Sequence, residues 1–128
     1  MQSPNISRVV GRARFDRGAY VAGKYKVTPA RIIWEVEKLT TVSIEEMRGE
    51  SREYQVVYAR HLCFYIGKKY KSETLEAFSA RFNRTHALMI YGCRKVEGYM
   101  TYEQCVRDDI KTILTRLGVP PDEQLEKL

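Results

Sequence analysis

A chain of 128 residues can bury one hydrophobic core and is too short for two ordinary domains. Its 44% hydrophobic and 30% charged residues fit a folded globular protein, and no apolar run approaches the roughly 20 residues that cross a bilayer. The formal net charge of +6 suits a polyanionic partner, and Met1 to Val10 lacks the apolar run of a secretion signal, so the cytoplasm is the expected location.

Most of that charge sits at one end. Residues 1–28 hold Arg8, Arg12, Arg14, Arg17, Lys24 and Lys26 against Asp16 alone, interleaved with Phe15, Tyr20 and Tyr25. Three glycines and no helical period predict an irregular or short extended basic arm. Such an arm can lie along phosphates or in a minor groove; the plainer reading is a terminal tail partly packed through its aromatics.

From Pro29 the spacing turns helical, and residues 29–118 read as one all-α domain of five or six helices, with 119–128 as a tail that adds at most a frayed turn. Ile32, Val36 and Leu39 make the first apolar stripe, with Ile33 and Trp34 widening it and Trp34 assigned to the core. Ser43 and Glu46 have the spacing of a capping box, opening a short helix that ends near Gly49. After a polar link at Ser51 to Gln55, Val56, Ala59, Cys63, Ile66 and Tyr70 predict a long central helix. Lys68, Lys69 and Lys71 crowd its end, where the helix dipole favours cations.

Thr74 can cap a helix over Leu75 to Arg81 that buries Leu75, Phe78 and Phe82. Asn83 tolerates the left-handed conformation of a tight turn, and Thr85 can cap the helix that follows, with Met89, Cys93, Val96 and Met100 inward. His86, Ala87, Ile90 and Arg94 fall outside that stripe. Two helices joined by a sharp polar turn form the layout of a helix-turn-helix, here at about residues 74–97. A last helix is predicted from a Thr101-x-x-Gln104 capping box, burying Val106, Ile110, Ile113 and Leu117 and stopping at Gly118.

Chemistry other than binding finds little support in the sequence. Cys63, Cys93 and Cys105 are odd in number and lack metal-ligand spacing, so they read as reduced core thiols. Two histidines without a nucleophile or carboxylate at recognisable spacing give no catalytic constellation, and Glu45-Glu46 is explained by capping. No enzyme activity, metal or cofactor is expected.

Arg84-Thr85-His86 followed by Gly92-Cys93-Arg94-Lys95-Val96 resembles the signature R-D-H-T-T-V-x-x-A-C-R-K-I of the C-terminal DNA-binding domain of the bacterial replication initiator DnaA. Ala59-Arg60-His61-Leu62-Cys63-Phe64-Tyr65-Ile66 is similar to that family's A-R-Q-I-A-M-Y-L helix, and Thr74-Leu75-x-x-Phe78-Ser79-x-x-Phe82 to its S-L-x-x-I-G-x-x-F segment. The resemblance covers roughly residues 31–117 and implies an all-helical, Trp-repressor-like fold. It also implies a recognition helix in the major groove and a basic loop that inserts an arginine into the minor groove.

Carried over position by position, the resemblance implies phosphate contacts from Arg52, Arg60, Arg94, Lys95 and the amides near Thr74, with Arg84, His86, Ala87 and Leu88 facing bases and Thr85 counted among the DNA-contact residues. From the residues alone, Arg60 can instead pair with Glu53 or Glu76, and Tyr54 and Tyr91 can offer hydroxyls to phosphates. The chain departs from the family where Thr85, Ala87 and Leu88 stand for Asp, Thr and Thr, and where Tyr54 stands for the loop's second basic residue. The initiator's G-x-x-x-x-G-K-[ST] loop is missing, so the expectation is a detached reader of double-stranded DNA, from a phage or mobile element, working with another protein that carries the ATPase. The alternative is a protein-interaction module that kept the fold and lost DNA-box recognition, presenting Leu88, Ile90 and Tyr91 as an apolar patch. RNA binding is suggested only by the arm.

Overall fold

The structure, a computed structural model, describes residues 27–70, 73–120 and 124. Most of the basic arm, Lys71 and most of the tail therefore lie outside the described residues. Among the described residues six helices follow one another: α1 Pro29–Thr40, α2 Ile44–Arg48, α3 Tyr54–Tyr70, α4 Leu75–Ala80, α5 His86–Tyr102 and α6 Gln104–Arg116.

Local chemistry sets most of the ends. Thr28 caps α1 by accepting from the Arg31 amide at 3.2 Å, ahead of Pro29 in the first turn, where a missing N–H costs nothing. The Ser43 and Glu46 capping box forms in both directions, at 3.1 and 2.9 Å. Three helices stop on a residue with positive φ: Thr41 at 60°, Asn83 at 58° and Gly118 at 89°. After Asn83 and Gly118 the next amide reaches back five residues, Arg84 N to Ser79 O and Val119 N to Leu114 O, which satisfies carbonyls the helix leaves open.

Helix α3 is the axis of the molecule. It packs against α1, α2, α4 and α5, and residues Ala59 to Gly67 are buried without interruption. Two glycines let neighbours approach it closely. A Cβ at Gly67 would stand 2.6–2.9 Å from the Phe78 ring of α4, and one at Gly92 of α5 would stand 2.7 Å from His61 Cδ2. Phe64, Phe78 and Phe82 fill the space between these helices, with the Phe64 and Phe82 rings edge to face at 5.1 Å.

Four expectations need correction. Trp34 is 54% exposed, with Lys38 Nζ 5.6 Å from its ring centre. Two residues beyond Ile32 lie about 200° round a helix, on the outer side, and Glu35 takes the inward place beside Val36. No capping box forms at Thr101: α5 runs on to Tyr102 because Met100 continues the buried stripe, and the Thr101 hydroxyl donates to Glu97 O within the helix. The break falls at Glu103 (φ −121°, ψ 111°), which makes no side-chain cap, and Gln104 instead donates to Asp108 at 2.8 Å. Cys63 and Cys93 are buried free thiols, whereas Cys105 is exposed. Finally, the polar link after α2 is shorter than expected, since Tyr54 and Gln55 already belong to α3.

The glycine contacts generate a paired prediction. Gly67→Ala is expected to lower stability by about 1–2 kcal/mol in urea unfolding, because overpacking against a buried phenylalanine outweighs the gain in helix propensity. Gly98→Ala on the open face of α5, where a Cβ meets nothing within 4 Å, is expected to raise it by about 0.5–1 kcal/mol.

Candidate nucleic-acid interface

Helices α4 and α5 and the turn 81–85 form the helix-turn-helix unit. Thr74 and Thr85 cap its two helices, their hydroxyl oxygens accepting from the Ala77 and Leu88 amides at 3.1 and 3.3 Å. On α5 the inward face is Met89, Gly92, Cys93, Val96 and Met100. The outward face carries His86, Ala87, Leu88, Tyr91, Arg94 and Lys95, all exposed, while Ile90 is half-buried. The seat of α5 on α3 is fixed by Gly92 over His61 and by the Cys93 thiol, which donates to Phe64 O at 3.3 Å. Burial pushes that thiol's pKa up to about 11, so it stays protonated.

Two arginines hold the neighbouring loop in place. Arg84 donates to Gly49 O at 2.7 Å and Phe82 O at 2.8 Å, with longer bonds to Arg48 O and Asn83 O. Arg60 donates through Nε to Met47 O at 2.8 Å and through Nη2 to Ser51 O at 3.5 Å. Arg48 returns the tie across the same junction, donating to Arg81 O at 2.7 Å. The segment 47–51 is thus stapled to the turn of the helix-turn-helix by guanidiniums on carbonyls. Burial first, and then the nearby Arg84, lower the Arg60 pKa, and a guanidinium in a protein remains a cation.

These bonds revise two expected roles. Arg60 is buried and neither reaches outward to a phosphate nor pairs with Glu53 or Glu76. Arg84 is half-buried, its guanidinium engaged by backbone carbonyls rather than held out towards a base. No sequence signal announces the staple, because its partners lie 35 residues apart in the chain.

The stapled loop and α5 enclose a groove of about 620 Å³, lined among others by Arg52, Arg60, His61, Arg84, Leu88 and Tyr91. Arg52 is exposed on the loop wall; Leu88 and Tyr91, 49% and 54% exposed, form the α5 wall. Tyr54 lies exposed one residue into α3, its ring parallel to that of Tyr58 at 6.0 Å. Lys95 Nζ stands 5.6 Å from the centre of the Tyr91 ring, a cation–π contact at the surface. Among the described residues the ion pairs are Arg31 with Glu35 and Arg81 with Glu73, and His86 Nδ1 lies 3.8 Å from a Glu76 carboxylate oxygen. Arg52, Arg94 and Lys95 join none of them.

The family described as bacterial DnaA protein helix-turn-helix matches residues 21–96. The chain belongs to this family. It is 26% identical to chromosomal replication initiator protein DnaA 2 of Chlamydia trachomatis over 96 residues, 75% of this chain and 21% of that protein. It is 30% identical to the chromosomal replication initiator protein DnaA of Porphyromonas gingivalis over 99 residues, 77% and 21% of the respective lengths. Over 62 residues, 48% of this chain and 13% of the relative, identity to the DnaA of Oleidesulfovibrio alaskensis reaches 34%. The chain thus spans about one fifth of the length of the first two relatives.

Beneath the recognition helix His61 is buried, its Nδ1 has no hydrogen-bond partner among the described residues, and Tyr91 meets its ring edge-on at 6.3 Å. Burial first, then the charges of Arg60 and Lys95, lower its pKa from 6.5 to about 4. A base whose folded pKa is depressed lets the unfolded chain bind more protons in between, so stability is intact above pH 6.5 and falls as the pH drops towards 4. His61→Gln, which does not titrate, is expected to retain on the order of 2 kcal/mol that the parent loses over this window, read from urea midpoints at pH 7 and pH 4.5.

Proposed function

We propose that this chain binds double-stranded DNA, with the head of α5 in the major groove and the Arg52 loop against the adjoining backbone. The reading rests on one observation above all: the outward face of α5 and the facing loop carry Arg52, Arg94 and Lys95, none neutralised by a carboxylate among the described residues. Exposed cations on the loop and on the outward face of α5 match a polyanion that can be gripped on both of its own edges. Membership of a DnaA helix-turn-helix family supports the same reading and adds a context, the initiation of replication.

Roles divide by position. His86, Ala87 and Leu88 face bases, with Thr85 as the cap that orients them. Arg52, Arg94, Lys95 and the Tyr54 and Tyr91 hydroxyls meet phosphates, as do the amides that follow Thr74. Arg60 and Arg84 act from behind, as the groove's floor and as the staple that sets its width. The ATPase step of initiation belongs in this reading to a separate partner protein.

A second reading, a protein-interaction module, draws support from the exposure of Leu88 and Tyr91, which gives α5 an apolar strip. The two separate on salt. Neutralising phosphates releases counterions, with a slope of about 0.9 per phosphate contact, so Arg94→Ala with Lys95→Ala is expected to flatten log K against log salt by about 2. A filter-binding titration of a duplex measures this. An unchanged slope overturns the contact assignment, and no retention of duplex at low salt favours the protein-interaction reading.

A further inference from the structure

At the head of α5 the two residues after His86 carry no group that can hydrogen-bond a base. Thr85 Oγ1 already accepts from the Leu88 amide, Ala87 offers only a methyl, and Leu88 presents an isobutyl group that is 49% exposed. Of the exposed side chains at this end, His86 keeps polar capacity beside Glu76 at 3.8 Å, and the Thr85 hydroxyl keeps its proton to donate. Leu88 does not stand alone in solvent: it continues into Tyr91 along one wall of the groove whose other wall carries Arg52. The apolar strip thus has Arg52 across the groove and Lys95 at Tyr91, neither in an ion pair among the described residues, with Glu50 as the carboxylate that also lines the groove.

A strip of that composition fits a polyanion that also displays apolar groups at the depth reached by a helix N-terminus. In the major groove of a duplex, the C5-methyl of thymine is the one such group on a base edge. We propose that Leu88, with Ala87 beside it, recognises thymine methyls, so that this chain selects its sites by apolar contact at the head of the recognition helix. The inference rests on the duplex reading and specifies the class of site within it: runs or pairs of thymine on one strand, spaced to meet residues one step apart on a helix. A leucine exposed in free protein and covered in the complex gives the preference its driving force, since water leaves both the isobutyl group and the methyl. The same chemistry disfavours RNA, whose uracil lacks the methyl and whose major groove is too deep and narrow for a helix.

The test uses the full chain and a duplex recovered by selection from a randomised pool, resynthesised with each thymine replaced singly by deoxyuridine. This change removes one methyl and keeps every hydrogen-bonding group. At one or two positions binding is expected to weaken by about fourfold, the worth of one methyl taken out of water. Leu88→Ala, at an exposed position the fold does not need, is expected to erase that difference at one of them while leaving the salt slope unchanged. Recovered duplexes without thymine, deoxyuridine tolerated at every position, or full discrimination surviving Leu88→Ala would each overturn the inference. Retention of the pool without enrichment also overturns it, yet leaves general duplex affinity standing; failure to hold any duplex removes both.

Discussion

The contact on which the interface depends is a pair of guanidiniums bound to peptide carbonyls. Arg84 and Arg60 reach from the helix-turn-helix and from α3 to the carbonyls of residues 47–51, and so set where the loop stands relative to α5. Hydrogen bonds of this kind, with one charged partner, are worth about 1.5–3 kcal/mol each, and their planar fork fixes angle as well as distance. Carbonyls, unlike carboxylates, leave the positive charge uncancelled. The staple thus does two jobs: it ties the end of α2 and the loop that follows to the helix-turn-helix, and it places two guanidiniums at the groove, which Glu50 also lines. Burial first, and then the neighbouring Arg84, lower the Arg60 pKa while Glu50 opposes them, a cost of the free state that an anion in the groove would relieve.

Behind the staple, the height of the recognition helix is set by what α3 lacks room for. Gly92 brings α5 down onto His61 and Phe64, and Gly67 brings α4 in as Phe78 lies against α3. Because each close approach uses a missing Cβ, the two helices of the motif are indexed to the same rigid axis rather than only to each other. His61 is the price of that economy: an imidazole Nδ1 sealed without a partner, tolerable only while neutral.

What the sequence made legible follows from the range of the forces involved. Caps and turns are local, so Ser43 with Glu46, Thr74, Thr85, Asn83 and Gly118 could be read within a few residues, and each forms. Stripes of α3 and α5 were legible because three-four spacing is a property of the helix itself. The failures are of a different kind. Thr101-x-x-Gln104 has a capping spacing, but the burial of Met100 carries α5 through it. Trp34 has the composition of a core residue and the azimuth of a surface one. Arg84 and Arg60 have the composition of phosphate ligands, and only the folded chain reveals that carbonyls more than thirty residues away, or across a loop, claim them first. In Gly92 a signal was present, since a glycine inside a helical pattern asks for a packing reason, but its partner His61 could not be named from spacing.

The departures from the family pattern gain a common sense once the geometry is in view. Tyr54 and Leu88 each put an aromatic or apolar surface where the family signature has a charge or a hydroxyl, and the Leu88 change lies on the groove itself. Affinity in such an arrangement comes from the flanking cations and is blind to sequence, while discrimination falls to groups that gain most by shedding water. An apolar reader also tolerates small errors of position better than a hydrogen-bonding one, because dispersion and dehydration vary smoothly with distance where a donor needs its angle. A helix seated by glycine contacts and a loop seated by arginine staples would then supply the precision that the reading side chains no longer demand.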